Sequence, residues 1–114
     1  MLRDFEFFVG RLMQEVVPVK PSAVLELHRD AVRSLVLAHR VTNPRVFGSA
    51  ARGDDSAGSD LDLLVDPTAG TTLFDIGAIR HELIELLGVP VDVVTPRALP
   101  ERFRDRVIAE AVPV

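Results

Sequence analysis

At 114 residues the chain has room for one domain with a modest core, and 47% apolar with 26% charged residues calls for a folded globular state rather than disorder. The absence of cysteine excludes disulfides and thiolate zinc sites. A formal net charge of −4, from 13 basic and 17 acidic residues, argues against direct nucleic-acid binding through broad backbone contact.

Residues 4–16 set Phe5, Phe8, Val9, Leu12, Met13 and Val16 at helical spacing, which predicts an amphipathic helix ended by Pro18 and Pro21. This N-terminal helical extension, residues 1–20, either packs on the domain's own core or serves a partner or dimer contact. Met13 offers an alternative start. Neither a signal-peptide apolar core nor a run long enough to span a bilayer is present in the sequence, so the expectation is a cytoplasmic protein with no membrane contact. Ser22 is the expected N-cap of a helix over 22–40, with Val24, Leu27, Ala31, Leu35 and Ala38 as its apolar stripe. The three histidines, His28, His39 and His81, show no ligand spacing and are assigned to the surface or to helix faces.

Asn43-Pro44 predicts a turn that releases a short strand near 45–47. Gly48-Ser49 follows that strand and opens a short helix, so its free backbone N–H groups suit an anion such as a triphosphate tail. The stretch from Asp54 to Gly58 reads as a polar surface loop, with Asp54 and Asp55 as solvated charges. A second strand covers about 61–66. Asp60 and Asp62 are two apart and project to one side of it, while Leu61, Leu63 and Val65 line the other. Adjacent carboxylates repel unless a cation lies between them, and hard oxygen ligands on a rigid edge suit Mg²⁺.

Thr72 and Asp75 have the form of a capping box for a helix over 72–87, with Leu73, Ile76, Ile79, Leu83 and Leu86 as the stripe and Gly88 as the stop. A third strand, Val91–Val94, carries Asp92 among valines. An ionised side chain there is costly without a partner, unless it faces water at a strand edge. A last helix spans about 99–111, with Phe103, Val107 and Ile108 available for packing. The alternation predicts a single α/β domain over 1–114, a small mixed sheet packed against helices.

Phe47-Gly48-Ser49, a ten-residue spacer and Asp60-Leu61-Asp62 resemble the nucleotidyltransferase superfamily that includes DNA polymerase beta. The fuller pattern, Gly48-Ser49-x-Ala51-Arg52-Gly53 and then Ser59-Asp60-x-Asp62-Leu63, is similar to the minimal nucleotidyltransferase subfamily. The resemblance implies a polymerase-beta-like palm that moves a nucleoside monophosphate, AMP from ATP, to a hydroxyl. Asp60 and Asp62 would hold two Mg²⁺ ions, and Asp92 would complete the second site, with Asp66 a weaker alternative. Gly48, Ser49, Arg52 and Ser59 are the candidate nucleotide-binding residues. Arg52 either reaches the triphosphate or pairs with Asp54 or Asp55, and Ser59 orients the turn before Asp60. Minimal members are commonly encoded beside a HEPN-type toxin, which implies an antitoxin that adenylylates that partner. Two other readings stay open: a non-catalytic module that neutralises its partner sterically, and a free-standing transferase of small molecules.

Overall fold

The computed structural model describes residues 19–114, so the helix expected over 4–16 lies outside the described residues. Within them run α1 (Pro21–Leu27), α2 (Arg29–Leu37), β1 (Val41–Phe47), α3 (Gly48–Arg52), β2 (Leu61–Pro67), α4 (Leu73–Leu87), β3 (Val91–Val94), a 3-10 turn (Pro96–Ala98), α5 (Glu101–Glu110) and β4 (Val112–Pro113). The sheet order is β3-β2-β1-β4. β1 is antiparallel to β2 and β4, whereas β2 and β3 are parallel, so the sheet is mixed as expected.

Period-2 alternation divides the sheet into two unlike faces. Leu61, Leu63 and Val65 join Val46, Val91 and Val93 in a core shared with Val24, Leu25, Val32, Val36, Ile79, Leu83 and Leu87 of α1, α2 and α4. The other face carries Asp62, Leu64 and Asp66, with Phe47 opposite Asp62 and Arg45 opposite Leu64. Leu64 is fully buried yet outside the main core; the 3-10 turn contacts β2.

Several local expectations are corrected. The helix over 22–40 is two helices, broken at His28, whose φ of −118° and ψ of 20° leave the helical range. The break brings Val24 and Leu25 before it, and Val32 and Val36 after it, into one core. The expected stripe is therefore displaced: Leu27 is 81% exposed, and Ala31 and Ala38 are exposed as well. Lys20 is the N-cap of α1 and Pro21 sits in its first turn, where a missing N–H costs nothing. Asn43-Pro44 does not precede the strand; it forms an irregularity inside β1, between Thr42 and Arg45, with Asn43 at φ 53°.

The α4 capping box is present, and Gly88 closes the helix in the left-handed conformation. Leu73, expected in its stripe, is instead 89% exposed beside Phe74, also 89%. The last helix runs Glu101–Glu110 and buries none of its residues. Arg104 ties it back by donating to the carbonyls of Pro96 at 2.8 Å and Leu99 at 3.0 Å. Val112-Pro113 adds to β1 as an edge strand, and Val114 is buried in the core.

Candidate active site

The site forms where β1 ends and β2 begins. Phe47 is extended, and Gly48 then turns at φ +72°, a left-handed conformation open chiefly to glycine, to start α3. Gly53, at φ 78°, closes α3 one turn later. A Cβ on Gly48 would lie 2.5 Å from Oδ2 of Asp62. The first glycine is thus needed twice, for its backbone angle and because the Asp62 carboxylate occupies the space where a side chain would go.

Asp62 stands opposite Phe47 on β1 and opposite Asp92 on β3. Opposite residues of neighbouring strands project to the same side, so the sheet brings Asp62 and Asp92 together as side-by-side carboxylates. Asp60 precedes β2 by one residue and lies two positions from Asp62. Asp60 and Asp92 are exposed, and Asp62 is half-buried between them. Burial, then repulsion from Asp92 and Asp60, pushes the Asp62 carboxyl up to about 6, and the Arg52 charge only partly offsets this. The central carboxylate thus carries more like-charge repulsion and burial than the Arg52 charge offsets.

That donor set fits a hard divalent cation, since a cation would relieve both the repulsion and the cost of burying Asp62. Among the described residues, no three His, Cys, Asp or Glu side chains already close around a common point. The carboxylates could thus supply one side of a coordination shell, leaving its other positions to ligands from outside the chain.

The remaining candidates separate by their partners. Ser49 is half-buried in the first turn of α3, and its carbonyl accepts from the Asp54 N–H at 3.1 Å. Arg52 donates to Asp54 Oδ2 at 3.2 Å, an exposed pair. Such pairs contribute roughly 0–1 kcal/mol, so the guanidinium can leave it for a stronger anion. Ser59 builds the turn ahead of Asp60: its hydroxyl accepts from the Ser56 N–H at 2.9 Å, and its own N–H reaches the Ser56 carbonyl at 3.0 Å. Asp66 is engaged elsewhere, paired with Arg45 and accepting from Asn43 Nδ2 at 3.0 Å. His39, two residues past the end of α2, meets Glu82 of α4 at 2.6 Å, and His81 meets Glu85 on α4.

Asp55, expected as a solvated loop charge, is only 4% exposed. Its Oδ2 accepts from the Ser22 N–H and its Oδ1 from the Ser22 hydroxyl, both at 2.8 Å. Burial pushes its carboxyl up, but the two Ser22 hydrogen bonds and the Lys20 charge outweigh this and hold it below the usual value. The partners are 33 residues apart, so no local pattern marks the pair in the sequence.

Residues 25–114 match the family pattern of the nucleotidyltransferase domain. A Methanocaldococcus jannaschii protein named as a protein adenylyltransferase is 39% identical over 80 residues, covering 70% of this chain and 86% of that protein. A solved structure named as a minimal nucleotidyltransferase is 45% identical, with a TM-score of 0.74 over 82% of this chain and 95% of its own. A toxin–antitoxin structure with AMP-PNP shares the fold at 19% identity and a TM-score of 0.64, over 74% of this chain and 69% of its own.

Proposed function

Because the chain belongs to the nucleotidyltransferase domain family, in its minimal subfamily, we propose that it transfers AMP from ATP to a hydroxyl of a partner protein, and that this partner is a HEPN-type toxin which it neutralises. The observation that carries the reading is the facing of Asp62 and Asp92 on parallel strands, with Gly48 held against Asp62. The similarity to a protein named as a protein adenylyltransferase supports a protein as acceptor. The toxin–antitoxin likeness supports the kind of partner through the fold alone.

The acceptor oxygen attacks the α-phosphorus, forming one O–P bond as the bond to the bridging oxygen breaks. Pyrophosphate departs with that electron pair, and the hydroxyl proton is lost to solvent. Asp60, Asp62 and Asp92 would hold Mg²⁺, two ions in the fullest form, which when bound neutralises phosphate charge and makes the acceptor oxygen more nucleophilic. The backbone amides after Gly48, with Ser49, would take the β- and γ-phosphates. Gly48 leaves room for the Asp62 carboxylate and, without a side chain, would let the phosphates approach the backbone. Arg52 would exchange Asp54 for the triphosphate, whose charge makes the stronger hydrogen bonds.

The test is incubation with labelled ATP and Mg²⁺, with and without the protein encoded beside it, read by intact mass of the partner. Whole AMP units should add to the partner, and the partner should stay inactive after this chain is removed. Asp60→Ala with Asp62→Ala should abolish the mass gain while leaving most of the contact surface unchanged. Full neutralisation by the double variant, with no mass change in the wild-type reaction, would sink the enzymatic reading in favour of a steric antitoxin.

A further inference from the structure

The loop from Gly53 to Asp60 joins the phosphate-facing turn to the carboxylates, and its one buried side chain is Asp55, at 4% exposure. A carboxylate so buried is expensive unless hydrogen-bonded. Here each of its oxygens takes a separate 2.8 Å bond from Ser22, one from the backbone and one from the hydroxyl. Charge-assisted bonds of this two-pronged kind fix direction as well as distance. Ser22 sits in the first turn of α1, and α1 also contacts α3, the helix that Gly48 opens. Among the described residues, the loop's other side-chain ties are short-range: Arg52 to Asp54, and Ser56 to Ser59. Ser22–Asp55 is therefore, among the described residues, the side-chain bond that fixes the loop to a different layer of the fold.

We propose that Asp55 and Ser22 are positioning residues, whose paired contact sets the spacing between the Gly48-Ser49 turn and the Asp60–Asp62 edge. Neither touches the reacting atoms. α1 becomes part of the frame of the site, although the family match begins only at residue 25. The inference rests on the nucleotide-transfer reading for its consequence in turnover, and on the loop geometry alone for its structural half.

Asp55→Ala removes both bonds, and Ser22→Ala removes one while leaving a carboxylate oxygen buried without its donor. Asp55→Asn can keep both contacts, accepting from the Ser22 N–H and donating to the Ser22 oxygen, and Ser22→Thr keeps the hydroxyl. The experiment measures kcat and KM for ATP in transfer to the partner, Mg²⁺–ATP affinity by calorimetry, and amide exchange of residues 53–60, well below every variant's melting transition. Asp55→Ala and Ser22→Ala should lower kcat about tenfold to a hundredfold, the range that misplacement of reacting groups costs. Both should speed loop exchange, with Asp55→Asn and Ser22→Thr close to wild type on every readout. Folded Asp55→Ala and Ser22→Ala with wild-type kcat and loop protection would overturn the proposal, as would losses that the conservative variants fail to restore. Should the wild type bind no Mg²⁺–ATP, the nucleotide reading falls, and unchanged loop exchange in Asp55→Ala would overturn the anchor separately.

Discussion

Gly48 and Asp62 exclude each other's freedom: a Cβ on the glycine would fall 2.5 Å from Oδ2 of the carboxylate, too close for both to keep their places. Gly48→Ala should therefore cost about 1–3 kcal/mol in urea unfolding, from the left-handed backbone angle and the displaced carboxylate together. It should also weaken Mg²⁺–ATP binding in calorimetry. Asp62 itself gives a pH signature. Its carboxyl is raised from 3.8 to about 6 in the metal-free fold, so the folded state holds this proton more tightly than the unfolded chain. Its contribution to stability is full below pH 3.8 and is lost as pH rises through about 6. Asp62→Asn should then be more stable than wild type above that window, by roughly 1–2 kcal/mol after allowing for solvent screening, and equal to it below. Chelator-treated protein unfolded at a series of pH values checks this. On the proposed function, adding Mg²⁺ should reverse the order, because only the wild type would keep all three carboxylates for the ion.

At the level of elements, β1 is where the local pattern misleads. Asn43-Pro44 has the composition of a turn, yet flanking pairings to β2 absorb it as a bulge, Val41 and Thr42 on one side and Arg45 to Phe47 on the other. Asn43 tolerates φ 53° because its short polar side chain suits the left-handed region, and it donates to Asp66. Asn43→Val should cost about 1–3 kcal/mol in denaturant unfolding, from strain at a β-branched residue and the lost bond. Asn43→Gly should cost less, since it relieves the angle and loses only the bond. The helices show a complementary limit. The stripe of α4 was readable at Ile79 and Leu83, both fully buried, but Leu73 stands outside it. The first turn belongs to the cap, and the core begins about one turn later.

For the whole molecule, the two-faced sheet decides which apolar residues matter. Leu63→Ala should cost about 2–5 kcal/mol, since Leu63 is fully buried in the central strand. Leu73→Ser, at 89% exposure, should change stability by less than about 0.5 kcal/mol; thermal unfolding of both variants compares the two. What the sequence by itself determined lies within short stretches. The Gly48-Ser49 turn, the strand that begins beside Asp60 and carries Asp62, the Thr72–Asp75 cap and the Gly88 stop each depend on neighbours a few bonds away, so the residues present dictate them. The order of elements from β1 to α5 was legible for the same reason. Tertiary structure alone decided the facing of Asp62 and Asp92, the Ser22–Asp55 bond across 33 residues, the break at His28 and the docking of Val112–Val114 beside β1. Each of these depends on which distant segments pack together. A rotation of 100° per residue lets a helix stripe shift by one position at little local cost, and only burial against the sheet selects the face that turns inward.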